Sequence, residues 1–430
     1  MHVPASYSVI KHMWYFYNVR LCNVSFFYIK EHYGCVFYPI TSINTYPLTK
    51  THQDCTLQPY SEMASSQPLE QDHRSLQELA KVLKQDVPHR YVQERREPTY
   101  VSNGISHLPT IPVIDMNDVI NIGSDINQLQ NLRSICQEWG IFQLVNHGVD
   151  KMLVEKMKKE TVEFFNMPVE EKLRYKFEGG EYEGYGQTIL HAQDQKVDWA
   201  DRFYMITNPV YRRKSNLLPM FPPLLRDTME KYLQELQKLS MTLFSLIGEA
   251  VDIERQEMIE AFEDGMQSVR MTYYPPCPQP ELVIGLTPHS DAAGITILLQ
   301  ITDVNGLEVK KDGVWIPVNF IPDAFVVNVG DILEIMSNGV YNSIEHRATV
   351  NEEKERISLA MFFNPKFEAE VGPAKTLLSK TGNPPVFKTL IMEQYLKDFF
   401  SRKLNGKTFL ENMKIGNEKP RKPDHITHPQ

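Results

Sequence analysis

The sequence is short of three things: cysteine, net positive charge and long apolar runs. Five cysteines in 430 residues are too few for a disulfide framework, which favours a reducing compartment. Acidic residues outnumber basic residues by 54 to 45, giving a net charge of −9, the wrong sign for a chain that binds nucleic acid or anionic membranes. The best apolar run near the N-terminus, 21–29, is interrupted by Asn23 and Ser25 and is too short for a membrane span of about 20 residues.

Aromatic residues are concentrated at the N-terminus: the first 62 residues hold 13 of the 45 aromatics and three of the five cysteines. This segment lacks the apolar core and cleavage site of a signal peptide and the arginine-rich composition of a transit peptide. It also shows no helix or strand period over a useful length. We expect residues 1–62 to be an upstream extension outside the functional fold, with an organelle address as the alternative.

In the rest of the chain the sequence pattern changes near residue 268. Before that point, apolar spacing predicts amphipathic helices and two short strands: helices at 76–83, 126–139, 150–165 and 225–247, and strands at 111–115 and 141–145. After it, β-rich runs separated by turns predict a sandwich or a jelly-roll barrel: 283–286, 296–300, 307–309, 314–318, 324–329, 332–336, 343–350 and 357–363. Residues 391–415 have a helical pattern, and 416–430 are expected to form a loose tail.

The predicted fold class is therefore α+β, with a β core between helical segments. We expect one enzyme unit in three regions behind the N-terminal extension: residues 63–265 with scaffold helices, residues 266–366 as the jelly-roll core, and residues 367–430 as a C-terminal helical segment and tail.

Two of the thirteen histidines stand out by their context. His289 and Asp291 flank Ser290, and on an extended segment such i and i+2 side chains point to the same side. His346 follows Asp291 by 55 residues, in a later β-rich run. Two histidines and one carboxylate on one face form the facial triad of non-haem Fe(II) oxygenases, although these three residues alone also fit a capped turn or a surface pair. Glu345 competes as a ligand but is expected to face the opposite way on a strand.

Arg356 and Ser358 open the next predicted strand with the same i, i+2 spacing. The guanidinium is a planar fork that suits a carboxylate, and the serine hydroxyl lies beside it. A buried arginine needs an anion, whereas an exposed one would pair with the acidic stretch 352–355. Taken alone, Arg356 fits a surface ion pair. The order His-x-Asp, then His, then Arg-x-Ser is much harder to obtain by chance.

The motif order resembles the plant iron(II)- and 2-oxoglutarate-dependent dioxygenases, from about residue 76 to residue 415. Within that family the sequence is most similar to the branch of the codeine and thebaine O-demethylases, the senescence-related dioxygenases and the dioxygenase type of norcoclaurine synthase. The matching stretches are 111–115 (IPVID), 136–149 (CQEWGIFQLVNHGV), 164–172 (FFNMPVEEK), 184–187 (GYGQ), 198–204 (DWADRFY), 273–280 (YYPPCPQP), 288–291 (PHSD), 330–338 (GDILEIMSN) and 343–348 (SIEHRA).

The resemblance implies a double-stranded β-helix that binds Fe(II) through His289, Asp291 and His346. It implies 2-oxoglutarate and O2 as co-substrates, with ascorbate as the reductant. The reaction implied is hydroxylation or O-demethylation of an aromatic plant metabolite such as an alkaloid, a flavonoid or another phenolic compound, with release of succinate and CO2.

The resemblance also implies that Arg356 and Ser358, helped by Tyr274, hold the distal carboxylate of 2-oxoglutarate. The family often has asparagine where this chain has Thr272, and threonine can still donate one hydrogen bond.

Four further residues are placed in the substrate pocket by their position alone, with ordinary core or rim packing as the alternative: Tyr185, Arg270, Phe362 and Asn364.

Three other functions fit parts of the pattern. A same-fold oxidase that does not use 2-oxoglutarate would share the triad, a non-catalytic ligand-binding protein would be expected to have lost it, and a zinc hydrolase would need a general base that the motifs do not supply. For the favoured function we expect a small aromatic substrate, no nucleic-acid or membrane partner, a monomeric state and a cytoplasmic location.

Overall fold

The computed structural model describes residues 16–21, 24–31, 34–37, 75–93, 97, 109–120, 126–177, 181–188 and 195–416, with only the backbone described in the first three ranges. The chain divides into two compact units, Met1–Leu57 and Gln58–Gln430. In the first unit, β1 (Phe16–Leu21), β2 (Val24–Glu31) and β3 (Gly34–Phe37) form an antiparallel meander. The sequence pattern does not predict these strands, because the segment lacks a sustained period-2 pattern.

The second unit contains the remaining strands and all described helices. The strands are β4 (Val113–Asp115), β5 (Ile141–Val145), β6 (Gly184–Gly186), β7 (Asp201–Asn208), β8 (Gln267–Tyr274), β9 (Leu286–His289), β10 (Ile295–Gln300), β11 (Leu307–Lys311), β12 (Val314–Pro317), β13 (Phe325–Val329), β14 (His346–Ala348), β15 (Arg356–Phe363), β16 (Glu370–Val371) and β17 (Leu390–Ile391). The helices are α1 (Leu76–Val82), α2 (Met116–Ile120), α3 (Ile126–Glu138), α4 (Lys151–Asn166), α5 (Val169–Lys172), α6 (Pro223–Ala250), α7 (Arg255–Phe262), α8 (Asp331–Met336), α9 (Lys375–Thr381), α10 (Met392–Phe400) and α11 (Thr408–Met413).

Two sheets build the core. The larger sheet has the strand order β4-β5-β13-β10-β15-β8-β7-β6, and the smaller has the order β12-β11-β14-β9. This arrangement confirms the predicted α+β class with a jelly-roll core. Strands β4 to β7, which precede residue 266, are part of the larger sheet, so the N-terminal region contributes to the β core itself. The region boundaries proposed from the sequence stay a prediction.

The two faces of the larger sheet have different neighbours, because successive side chains on a strand alternate. One face, which includes Met271 and Leu359, joins the main hydrophobic cluster together with the buried side of α6. The opposite face, which includes Val326, packs with Val309 and Ile316 of the smaller sheet. Side chains in register with Val326 are therefore directed into the space between the sheets, and that space holds the polar groups described below.

Most predicted helices are confirmed. The buried side of α6 is the predicted apolar stripe at i, i+3 and i+4 spacing. Asp150 caps α4 by accepting a hydrogen bond from the amide of Met152 at 2.7 Å. The predicted 391–415 helix is two helices, α10 and α11. Among the described helices, none is both long enough and apolar enough to span a bilayer.

Two strand predictions near the triad were wrong in detail. Residues 332–336, predicted as a strand, form the helix α8, in which every residue is buried. A short apolar run does not distinguish a buried helix from a buried strand by periodicity. The run predicted at 283–286 is a strand only from Leu286 onward, and a 3-10 turn at 280–282 precedes it.

Candidate active site

His289, Asp291 and His346 come together between the two sheets. His289 ends β9 and is the register partner of His346 at the start of β14. The Nε2 atoms of the two histidines lie 3.4 Å and 3.7 Å from Oδ1 of Asp291, and one ligand atom from each residue lies within 4.8 Å of the others. All three side chains are buried. The structure therefore brings together the three residues that the sequence pattern singled out.

Hydrogen bonds hold the triad in a form that suits metal binding. Nδ1 of His289 donates to the carbonyl of Thr287 at 2.8 Å, and Nδ1 of His346 contacts the carbonyl of Ile344 at 3.2 Å. A ring whose Nδ1–H donates to a carbonyl keeps the Nε2 lone pair for a metal, as in most histidine metal ligands. Both Nε2 atoms therefore face the shared carboxylate with their lone pairs available.

The carboxylate of Asp291 is oriented in the same way. Its second oxygen, Oδ2, accepts hydrogen bonds from the Thr296 hydroxyl at 2.7 Å and from the Asn328 amide at 3.4 Å. Burial alone would raise the pKa of Asp291, but the neighbouring histidines and the Thr296 hydrogen bond lower it below its usual range. Burial lowers the pKa of His346 to about 4. An ionised carboxylate beside a neutral imidazole is the protonation state that metal ligation requires.

Close backbone packing fixes the segment that carries Asp291. The amide of Asp331, at the start of α8, donates to the carbonyl of Asp291 at 2.8 Å. A Cβ atom on Gly330 would lie only 2.0 Å from the carbonyl oxygen of Ala293, so only glycine permits this approach. Glu345 turns away from the triad, with its carboxylate 3.8 Å from Lys310, as expected for the residue next to His346 on a strand.

A second polar cluster lies on the same face of the larger sheet. Arg356 is the register partner of Tyr274, and Ser358 is the partner of both Thr272 and Gln300. The Arg356 side chain is only 2% exposed, which excludes the surface ion pair considered above. Its guanidinium carbon lies 5.0 Å from the centre of the Tyr274 ring.

Arg356 has no anionic partner among the residues that the structure describes. Its Nη2 donates to Oε1 of Gln300 at 3.0 Å, and its buried Nε has no hydrogen-bond partner. A buried guanidinium without an anion is costly. The cluster therefore has the chemistry of a site for a carboxylate.

A cavity of about 700 Å³ opens beside the triad, within the usual size range for small-molecule sites. Its wall includes His289 and Asp291 and three of the predicted pocket residues: Arg270, Phe362 and Asn364. Arg356, Ser358 and Tyr274 do not line this cavity, so the carboxylate cluster and the cavity are separate features of the same sheet face. Tyr182 closes part of the wall by donating a hydrogen bond to the carbonyl of Phe400 at 2.7 Å.

The placement of Tyr185 in the pocket was wrong. Tyr185 is 2% exposed and does not line the cavity. It pairs in register with Phe203, whose ring belongs to the helix-facing core, whereas the cavity side of β7 carries Arg202 and Tyr204. Strand parity therefore turns the Tyr185 ring into the main core. Its hydroxyl donates to Oδ2 of Asp201 at 3.1 Å.

Replacing Tyr185 with phenylalanine tests this correction. Because the ring stays and the hydroxyl loses its buried contacts with Asp201 and Ser75, we expect the free energy of unfolding to fall by about 1–3 kcal/mol, with KM for the organic substrate unchanged. Phe362→Leu, which alters the cavity wall, is the matched control and is expected to change KM. A change in KM without a change in thermal stability would place Tyr185 back in the pocket.

Several residues of the site were not predicted. Gln300, Thr296 and Asn328 orient the arginine and the carboxylate, and Arg202 and Asp198 line the cavity. Gln300 and Thr296 carry a detectable signal, since they are polar residues at even spacing on an otherwise apolar strand. The others follow from strand pairing between distant segments, which local sequence does not encode.

The donor set fits Fe(II). Two imidazole nitrogens and one carboxylate on one side, with the other positions open to a cavity, are the ligands of non-haem Fe(II) oxygenases, and each ligand here has the supporting hydrogen bond that such sites use. A jelly roll with this triad between its sheets defines the class of protein.

The family models agree with that class. Residues 265–365 match the 2OG-Fe(II) oxygenase superfamily, and residues 111–222 match the N-terminal region of non-haem dioxygenases in morphine synthesis. The oxoglutarate-dependent flavonoid 7-O-demethylase 1 of Ocimum basilicum is 47% identical over 80% of this chain and 91% of its own length. The codeine O-demethylase of Papaver somniferum is 45% identical over 79% and 96%.

A solved structure gives the same result. The crystal structure of JOX2 in complex with 2OG, Fe and JA is 36% identical, covers 79% of this chain and 97% of its own, and has a TM-score of 0.72. The chain belongs to the 2OG-Fe(II) oxygenase superfamily. It is an oxidoreductase that depends on Fe(II) and 2-oxoglutarate. The predicted family and branch are confirmed, as are the predicted cofactors Fe(II) and 2-oxoglutarate.

Proposed function

We propose that the chain hydroxylates or O-demethylates an aromatic plant specialised metabolite. We also propose that, of the two polar clusters between the sheets, one binds the metal and the other binds the carboxylate of the co-substrate. The observation that carries the proposal is the joint burial of a His-Asp-His triad and an arginine without an anion on one sheet face. The triad supplies three metal ligands, and the arginine cluster supplies a carboxylate site. Together they match the two requirements of a metal-dependent enzyme that consumes a dicarboxylic co-substrate.

In this proposal His289, Asp291 and His346 hold the iron. When bound, Fe(II) with 2-oxoglutarate and O2 supplies the oxidation of a C–H bond by one oxygen atom, while the second oxygen leaves in succinate as CO2 is released. Thr296 and Asn328 keep the carboxylate of Asp291 in place by hydrogen bonds to its second oxygen.

Arg356 and Ser358 bind the distal carboxylate of 2-oxoglutarate, with Tyr274 beside them. The guanidinium offers its unpaired Nε–H and its remaining hydrogens to the carboxylate. Its orientation is fixed by the hydrogen bond from Nη2 to Oε1 of Gln300 at 3.0 Å. Thr272, the register partner of Ser358, lies on the same face as this cluster. A bidentate pair of this kind fixes orientation as well as affinity.

The cavity selects the organic substrate. Phe362, Phe399 and Phe400 provide aromatic surface, while Arg270 and Asn364 provide polar contacts. The similar proteins named above are demethylases of a flavonoid and of codeine. This supports an aromatic alkaloid, flavonoid or phenolic compound as the substrate, and removal of an O-methyl group would yield an alcohol and formaldehyde.

We also propose that residues 63–430 carry the activity and act as a cytoplasmic monomer. Both matched family regions and both polar clusters lie within these residues. Cys136 and Cys277 are buried free thiols, which suits a reducing compartment.

A turnover screen tests these proposals. A chain that begins at Met63, with its mass in solution measured by light scattering, is incubated with Fe(II), 2-oxoglutarate and a panel of plant metabolites, with the full chain in parallel. We expect a monomer, equal activity of the two chains, and products heavier by one oxygen or lighter by CH2. Activity of the full chain alone would contradict the assignment to residues 63–430, and a panel without any substrate-dependent succinate would contradict the substrate class.

A further inference from the structure

Two arginines of the cavity wall lie side by side on the larger sheet. Arg202 of β7 is the register partner of Thr272, and Arg270 of β8 is the partner of Tyr204. Arg202 and Arg270 are therefore diagonal neighbours on one face, at a spacing of about 7–8 Å between backbones. Both side chains line the cavity that also reaches the metal-binding triad.

Neither arginine pairs with an acidic residue in the part of the chain that the structure describes. The Arg270 side chain makes no hydrogen bond there, and its buried Nε is unsatisfied. Arg202 makes only a long contact of 3.4 Å to the carbonyl of Tyr182 and lies 5.9 Å from the Phe177 ring centre. Burial lowers the pKa of Arg202, and the neighbouring charge of Arg270 lowers it further. The two adjacent cations raise each other's energy. The buried carboxylate of Asp198 attracts both of them but forms no ion pair with either guanidinium.

The acidic groups on the described cavity wall make their hydrogen bonds with other residues, although the Asp198 carboxylate also attracts both arginines electrostatically. Asp198 accepts hydrogen bonds from the Thr287 amide at 3.0 Å, from the Thr287 hydroxyl at 2.6 Å and from the Thr188 hydroxyl at 3.1 Å. Asp291 belongs to the triad. Three more basic residues line the described wall: Lys196, Arg402 and Lys403. The cavity is therefore electropositive.

We propose that Arg202 and Arg270 form an oxyanion-binding pair that selects aromatic substrates carrying a carboxylate or an ionised phenol. An oxyanion placed between the two guanidiniums would satisfy the unpaired Nε of Arg270 and relieve the repulsion between the charges. Phe362, Phe399 and Phe400 line the same cavity and would contact the aromatic rings. The pair is distinct from the site assigned to 2-oxoglutarate, because Arg356 does not line this cavity.

The inference rests on the proposed function for its substrate class, but binding tests it separately from turnover. The iron-loaded enzyme with 2-oxoglutarate is titrated without oxygen, so that no reaction occurs, and heat of binding is measured. The probes form two sets of matched pairs. In the first set, a methoxycinnamic acid is compared with its methyl ester. In the second set, a methoxyflavone that carries one free phenol is compared with the same flavone in which that phenol is methylated. The first pair reports on a carboxylate and the second on a phenolate.

We expect at least one anionic probe to bind 10-fold or more tightly than its neutral partner, because hydrogen bonds between charged groups are the stronger kind. Arg202→Gln and Arg270→Gln should each weaken the binding of that anionic probe by about 10-fold or more. Neither variant should change the affinity for the neutral partner or for 2-oxoglutarate. Arg202→Lys, which keeps the charge, should recover part of the loss. Arg255→Gln, which removes an exposed arginine on α7, is the control and should change nothing.

Equal affinity for both members of every pair, or no binding of any anionic probe, would overturn the proposal. The proposal would also be overturned if the variants weakened the binding of an anionic probe and of its neutral partner equally, since that pattern indicates general damage to the pocket. A selective loss of anion binding by an enzyme that releases no succinate with any substrate would support the pair and refute the proposed function.

Discussion

Replacing Asp291 with alanine is expected to abolish metal binding and turnover while leaving the fold intact. The carboxylate is the group that both histidines face, at 3.4 Å and 3.7 Å, and without it two imidazoles remain. Loss of a group that merely supports a metal ligand costs about 10-fold to 100-fold in metal affinity, so loss of the ligand itself should exceed that range. Iron content after equilibrium dialysis measures the effect directly, and circular dichroism checks the fold.

Two further variants sharpen this test. Glu345→Ala is the matched control, because Glu345 adjoins His346 but faces Lys310, and it should retain both iron and turnover. Thr296→Val removes the 2.7 Å hydrogen bond to Asp291 and should weaken iron binding by about 10-fold to 100-fold. An Asp291→Ala protein that binds iron as tightly as the parent would refute the ligand assignment.

Replacing Arg356 with glutamine is expected to weaken 2-oxoglutarate binding by more than about 100-fold, with little effect on iron binding. The guanidinium is buried and lacks a partner anion among the described residues, so the bound carboxylate would complete a buried ion pair. Breaking such a pair costs about 3–5 kcal/mol, and about 3 kcal/mol corresponds to more than a 100-fold change in the dissociation constant. Titration of the iron-loaded protein with 2-oxoglutarate, without oxygen, measures it.

The conservative variants separate charge from geometry. Arg356→Lys keeps the charge but loses the planar fork, so its affinity should fall between those of the parent and the glutamine variant. Ser358→Ala removes one hydroxyl beside the guanidinium and should lower the affinity for 2-oxoglutarate by about 10-fold. If the glutamine variant bound 2-oxoglutarate with parental affinity, the carboxylate site would have to lie elsewhere.

Both clusters could be predicted because each begins with a local pattern. Strand alternation places His289 with Asp291 and Arg356 with Ser358 on common faces, and this requires only that the segments be extended. Alternation also predicted that Glu345 would face away from the triad. The distance between His346 and the other two ligands depends on the pairing of β14 with β9, and the sequence order indicated it only through the family resemblance.

The errors have different physical causes. The wrong position of Tyr185 is a parity error, because a short strand with glycines on both sides of the tyrosine gives no apolar alternation that sets its face. The helix α8 was mistaken for a strand because it is buried on all sides. Arg202 was missed because its role arises only when β7 pairs with β8, a strand far along the chain.

The most direct test of the central claim is the stoichiometry of the full reaction. We predict that O2 consumption and succinate formation by the iron-loaded enzyme are equal and strictly dependent on both Fe(II) and 2-oxoglutarate, and that one oxidised or demethylated product accompanies each succinate when the substrate is present. Oxidation of the substrate without 2-oxoglutarate would contradict this account and indicate the same-fold oxidase. Substrate hydrolysis with zinc, or ligand binding without turnover, would contradict it equally.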